Sequence, residues 1–274
     1  MQSAAWILSL GLCLSVWALP AGASKPRQPP TPRTALDAWH GLNTNEKQRR
    51  RAVFALVEPD PGLPNVLIYG DSISIGYTLQ VREILAGKAN VHRIPFNGVD
   101  SGQFIANMDR VHRAMRDPSV AGRWDFEWDV IHFNVGLHDL KYMVDGRKLD
   151  KKNGKLVTEP EDYAKNLDAI ARYLQANHPQ TQIVFATPTP VPPEGDRGRH
   201  GGDVEKYNRV ALETLAAYPR IRINDLYALV KPRAGELYSK PANVHFKREG
   251  SVLMAQQVAQ SIEAALEAPK EPKP

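Results

Sequence analysis

Four places in the chain set a chemically capable residue directly after an apolar run: Ser72, Gly98, His138 and His245. A serine hydroxyl is a poor nucleophile until a base removes its proton, and histidine is the side chain whose ordinary pKa suits that task near neutrality. Ser72 follows "NVLIY" (65–69) and "GD". A polar residue there is either the N-cap of the next helix or a nucleophile. The second glycine of a G-x-S-x-G elbow is missing, so that arrangement does not fit. His245 stands between Val244 and Phe246, just ahead of the last helical stretch. From there an imidazole can project over a sheet edge. Gly98, in "FNGVDSG", can present a backbone N–H to a developing oxyanion, and His138, in "GLHD", can add a side-chain donor.

The elements that must position these residues alternate in type. Short apolar runs at 65–69, 90–96, 129–136 and 182–187, with a weaker one in "RIRIND", read as strands. Between them lie stretches with helical spacing. Phe104, Met108, Val111 and Met115 share one face, as do Tyr163, Leu167, Ile170 and Leu174, and Met254, Val258, Ile262 and Ala265. Pro160 opens one helix, and Asp203 is expected to cap another. Trp39, Leu42, Val53 and Leu56, around the basic run "EKQRRRAVF" (46–54), read as one amphipathic helix with a solvated basic face. Strands alternating with helices require crossover connections, hence a mostly parallel sheet covered on both faces, with active residues at the carboxyl ends of its strands. Two long segments interrupt the pattern at such ends. Residues 141–160 contain Asp145-Gly146 and Asn153-Gly154 and read as an excursion with a small hairpin able to wall a pocket. Residues 188–203 read as a proline- and glycine-rich loop.

Composition sets the boundaries. The chain has 274 residues and a net charge of +5. Residues 1–23 carry no charged side chain, and an apolar stretch from Ala5 to Leu19 ends near "AGA". This reads as a signal peptide, with an uncleaved anchor as the alternative; the run is short for a span, which needs about 20 residues. The one cysteine, Cys13, lies inside it, so the mature chain would have no thiol chemistry and no disulfide. Residues 24–34 are expected to be a Pro-rich linker, 35–266 a single domain and 267–274 a disordered tail. The expected location is secreted or periplasmic, with a bacterial envelope favoured and no stable membrane insertion after cleavage. The positive balance is modest and dispersed, and no nucleic-acid partner is expected.

"GDSIS", "FNGVDSG", "NVGLHD" and "NVHFKREG" resemble the four sequence blocks of the SGNH, or GDSL-type, hydrolases, over roughly Asn65 to Leu266. The resemblance implies a flavodoxin-like, three-layer α/β/α sandwich with a mostly parallel five-stranded sheet. It also implies an esterase acting on small acyl esters, including O-acetyl groups on carbohydrate, with no cofactor and no metal. Ser72 would be the nucleophile and His245 the general base, with the Ser72 and Gly98 N–H groups and His138 as the oxyanion hole. If the loop register shifts by one, Val99 takes the place of Gly98.

Two positions depart from the family pattern. His138 stands where the family has asparagine; an imidazole still donates one N–H, and its alternative reading is a loop residue whose tautomer Asp139 fixes. Ala242 stands where the family has the aspartate that supports the histidine, so Asn243 is the nearby candidate for support. A serine–histidine dyad with weakened support is therefore expected, without a full triad. Two other readings remain: a binding protein on the same scaffold with decayed catalysis, and a binuclear metallophosphoesterase, whose ligand set looks thin here. His40, His92, His112, His178 and His200 read as scattered surface or structural residues. His132 and Asn134, on one side of a strand, read as buried hydrogen-bonded groups or as support beneath the site.

Overall fold

The computed structural model of the protein describes residues 33–269. The expected signal peptide lies outside the described residues, as do most of the linker and the last five residues. The described residues form eight strands: β1 Asn65–Tyr69, β2 Asn90–Arg93, β3 Val130–Phe133, β4 Tyr142–Val144, β5 Lys148–Leu149, β6 Lys155–Leu156, β7 Gln182–Ala186 and β8 Ile221–Asn224. The α-helices are α1 Ala35–Gly41, α2 Glu46–Arg49, α3 Ser72–Ile84, α4 Phe104–Met115, α5 Pro160–Asn177, α6 Asp203–Leu215, α7 Leu226–Val230, α8 Ala234–Leu237 and α9 Arg248–Leu266.

Five strands form one sheet in the order β2-β1-β3-β7-β8, and every pairing is parallel. Parallel neighbours cannot be joined by tight turns, so helices cross over the faces and both sides of the sheet are covered. That burial explains the uninterrupted apolar runs: Val66, Leu67, Ile68 and Tyr69 are fully enclosed. The inward helix faces are those read from spacing. Met254, Val258, Ile262 and Ala265 of α9 are buried, as are Phe104, Met108, Val111 and Met115 of α4. Each large apolar side chain enclosed in this way contributes about 1.5–3 kcal/mol. Helix α3 packs closely on α9 because Gly76 has no side chain: a Cβ there would lie 3.0 Å from Ser251 Oγ.

Several local expectations are corrected. The single helix expected to carry Trp39, Leu42, Val53 and Leu56 is in three pieces, α1, α2 and a 3₁₀ turn at Ala52–Phe54, because the Asn45 side chain accepts from Gln48 N and starts a new helix. The cap of α6 is Gly202, at φ +93°, a left-handed conformation that suits glycine; Asp203 is the first helical residue. The end of the expected linker is anchored: Thr34 caps α1 in a capping box with Asp37, and Ala35 N donates to Ala121 O. The excursion at 141–160 holds the expected hairpin, β4–β5, turned at Asp145 and Gly146, both with positive φ, and adds β6 to make a three-stranded antiparallel sheet.

The chain leaves β1 toward β2 on one side, then returns past β1 to β3 on the other. The crevice at the carboxyl ends of β1 and β3 is the place such a topology leaves open for a ligand. Ser72, the 97–103 loop and His138 all sit at those ends.

Candidate active site

The turn after β1 is tight. Gly70 can carry no side chain, since a Cβ would come within 2.9 Å of Ser74 Oγ. Asp71 then caps α3, its carboxylate accepting from Ile73 N at 2.8 Å. The cap is therefore Asp71, and the hydroxyl of Ser72, the first residue of α3, is free for another partner. That partner is His245: Ser72 Oγ and His245 Nε2 lie 2.8 Å apart across 173 residues of sequence. The Ser72 backbone N–H belongs to the first helical turn, where amides have no intrahelical acceptor and the helix dipole favours negative charge.

An arginine whose role no motif announces holds this turn. Arg93, the last residue of β2, is fully buried. Its guanidinium donates to the carbonyls of Gly70 and Asp71 at 3.1 Å, of Ile94 at 2.7 Å and of Phe96 at 3.0 Å, and also to Ser74 Oγ. One side chain thereby ties the nucleophile turn to the next strand's loop. Burial lowers its pKa to about 9 and raises that of Asp71, and each charge opposes the shift of the other. The only sequence signal is a basic residue inside the apolar run "NVHRIPF".

His245 is oriented by Asn243. The Asn243 side-chain oxygen accepts the His245 backbone N–H at 2.8 Å and faces His245 Nδ1 at 2.7 Å. An amide oxygen only accepts, so the ring proton is on Nδ1 and Nε2 turns its lone pair toward Ser72. Burial lowers the His245 pKa, with Asp71 pulling the other way, so the ring is an unprotonated base at neutral pH. Ala242, where the family has aspartate, is a non-glycine residue at φ +50°, and its N–H donates to Glu194 Oε1 at 3.1 Å.

The tautomer of His138 follows from Lys141, whose Nζ lies 2.8 Å from His138 Nδ1. An ammonium only donates, so Nδ1 accepts and the ring proton is on Nε2. Burial, reinforced by Lys141, pushes His138 down to about 3, so the ring stays neutral and an N–H donor across the working pH range. Asp139 does not perform this task. Its buried carboxylate accepts from Ser101 N and Oγ, and burial raises it to about 6. It anchors the 97–103 loop and makes no hydrogen bond to His245 among the described residues.

Gly98 also differs from expectation. Its N–H donates to Gly70 O at 3.0 Å, and its carbonyl accepts from Tyr69 Oη at 2.8 Å. A Cβ would lie 2.7 Å from Tyr69 Cε1, so glycine is required by packing, and its amide is engaged in holding the loop to β1. Val99, the alternative, has φ +54° and gives its N–H to Asn97 Oδ1. With that oxygen occupied, Asn97 has its Nδ2 donors to offer, and it lines the cleft. The donors available at the site are Ser72 N–H, His138 Nε2–H and the Asn97 amide.

The cleft has a volume of about 430 Å³; Ser72, Asn97, His138, Leu149, Arg197 and His245 are among the residues that line it. Among the described residues no three His, Cys, Asp or Glu side chains are grouped to hold a metal ion. His132 bonds Asn224 and Asn134 bonds Ala186 O, within the layer beneath. His92, His112 and His178 are not scattered singly. His92 packs on Trp124 and Trp128, Trp128 Nε1 donates to His112, and His112 meets His178 at 5.1 Å between ring centroids.

Residues 68–253 match the GDSL-like lipase/acylhydrolase family, and the chain belongs to it. The fold and the family make the protein a hydrolase of ester bonds. Among solved structures, it is similar to a lipase/acylhydrolase from Enterococcus faecalis, with 16% identity, TM-score 0.55, and coverage of 77% of this chain and 99% of that one. An acetyl xylan esterase is similar at 16% identity and TM-score 0.55, over 72% of this chain and 99% of that one. A family two carbohydrate esterase from Cellvibrio japonicus matches at 16% identity and TM-score 0.51, over 78% of this chain and 63% of that one. No curated protein matches the chain in sequence.

Proposed function

We propose that the protein is an exported serine esterase that removes small acyl groups, O-acetyl on carbohydrate above all. The observation that carries the mechanism is the Ser72 Oγ to His245 Nε2 distance of 2.8 Å, with the Nδ1 proton held on Asn243. Ser72 attacks the ester carbonyl as His245 takes its proton. The tetrahedral oxyanion is held by Ser72 N–H, His138 Nε2–H and the Asn97 amide. His245 then protonates the departing alcohol, and water, deprotonated by the same ring, releases the acid from the acyl-enzyme. Each oxyanion donor contributes about 3–4 kcal/mol in chemistry of this type.

The size of the acyl group is argued from the cleft, whose lining is polar and charged apart from Leu149, Ala242 and Val244. Carbohydrate as the alcohol is supported by the family and by two of the similar folds. Export is supported by the uncharged apolar segment at residues 1–23.

The test is hydrolysis of 4-nitrophenyl acetate by the purified protein and by Ser72→Ala. Turnover that falls at least about 1,000-fold in the variant is expected. Equal rates would reject the serine mechanism, and no turnover in either would favour a binding role on this scaffold. Amino-terminal sequencing of exported protein, expected to begin at Ser24, tests the leader.

A further inference from the structure

The cleft that holds Ser72 is lined by three cations, Lys141, Arg197 and Arg199, and one carboxylate, Asp196. Arg199 is accounted for. It is buried, its Nη1 pairs with Asp196 Oδ2 at 2.5 Å, and its Nε donates to Leu137 O at 2.8 Å. The other two are not. Lys141 is half-buried; among the described residues its side chain bonds only the neutral His138 ring and no carboxylate lies within ion-pair distance, Asp71, Asp196 and Asp100 acting on it from farther off. Arg197 projects an exposed guanidinium at the rim, with no ion pair or hydrogen bond from its side chain among the described residues; only its backbone carbonyl is used, by Lys151 N. Elsewhere the buried guanidinium of Arg93 satisfies itself on four carbonyls and a hydroxyl.

Charge taken out of water without a countercharge is costly, and folded chains ordinarily supply a partner. That cost falls on the half-buried Lys141, while Arg197 stays solvated at the rim, and both line the cleft with Ser72. An ammonium and a planar guanidinium on one cleft make a good receptor for a carboxylate or phosphate, the guanidinium binding it through two parallel N–H groups. Burial lowers Lys141 to about 8, which an incoming anion would reverse.

Resting on the esterase reading, we infer that the ester this cleft accepts carries an anionic oxygen group, a carboxylate or a phosphate, bound between Lys141 Nζ and the Arg197 guanidinium beside Ser72. A uronic-acid sugar with an O-acyl group, or an acylated sugar phosphate, has that chemistry. Neutral sugars leave both cations unpaired.

The experiment measures binding, so that it stands apart from catalysis. Ser72→Ala protein is titrated calorimetrically with trigalacturonate, with glucose 6-phosphate and, as the neutral probe, with xylotriose. At least one of the two anions is expected to bind tenfold or more tightly than xylotriose, and which one does so separates carboxylate from phosphate. In Ser72→Ala/Arg197→Gln the preference should fall at least fivefold, whereas Ser72→Ala/Arg113→Gln, altered on α4 outside the cleft, should keep it. Equal binding of anionic and neutral probes would overturn the inference, as would a preference indifferent to Arg197 or equally sensitive to Arg113. Failure of 4-nitrophenyl acetate turnover in the unaltered protein would instead sink the esterase reading and leave the binding result to stand or fall by itself.

Discussion

The side-chain oxygen of Asn243 receives two hydrogen bonds from a single residue, His245: one from its backbone N–H and one from ring Nδ1. A neutral amide thus does the orienting that a carboxylate does in a full triad. It fixes tautomer and ring plane, but offers no charge to the imidazolium that the proposed attack by Ser72 would form.

Two substitutions separate those contributions. Asn243→Ala removes orientation and should lower kcat about 10- to 30-fold, the worth of one hydrogen bond at about 1.5–2 kcal/mol. Asn243→Asp supplies a negative charge next to Nδ1 and should raise the pKa of His245. The wild-type acid limb of kcat/KM is expected below the ordinary histidine value of 6.5, since burial lowers His245. In the aspartate variant that limb should move to higher pH. A pH–rate profile with unmoved limbs would show that residue 243 does not face the base.

His138 supplies an N–H from a ring kept neutral by burial and by Lys141. His138→Ala should cost about 100- to 1,000-fold in kcat, the loss of one oxyanion donor. His138→Asn should restore much of that loss. With its pKa at about 3, His138 should contribute no inflection between pH 5 and 8. Comparing kcat and pH profiles for the three proteins checks the assignment.

Acid stability follows from the buried histidines. Burial pushes His92 and His112 down to about 3 and His132 to about 4; His138 is at about 3. In the unfolded chain each binds a proton near pH 6.5. Below that pH the unfolded state holds more protons, so stability falls as pH drops, by about 1.4 kcal/mol per pH unit for each such histidine. Asp139, raised to about 6, and Asp71, also raised, act in the opposite sense as the pH drops, but they are fewer. The thermal midpoint should therefore be lower by at least about 5 °C at pH 5 than at pH 7.5. A midpoint that holds or rises on acidification would contradict the account.

Gly98→Ala tests the packing role given to that residue. The new methyl would meet Tyr69 Cε1 at 2.7 Å and Gly70 O at 3.0 Å, both held by the sheet. The expected cost is about 1–3 kcal/mol, read as a lower denaturant midpoint at constant slope. A midpoint equal to wild type would mean that the loop moves freely and that its amide is available for the oxyanion.

Much of the molecule was legible in its sequence. Uninterrupted apolar runs such as 65–69 and 182–186 have only one stable place, the interior of a covered parallel sheet, and the 3.6-residue spacing of Met254, Val258 and Ile262 fixes which helix face lies on it. Those short-range regularities put Ser72, His138 and His245 at strand ends and helix entrances. The tertiary structure alone decided what those residues do with their hydrogen bonds. Gly98 turned its amide to Gly70, Asp139 went to Ser101, Lys141 took the ring of His138, and Arg93 folded its charge under the nucleophile turn. Periodicity records which side of an element is apolar, because burial acts on whole faces. A hydrogen bond depends on tenths of an ångström between groups brought together from distant parts of the chain, and that information exists only once the backbone has closed around them.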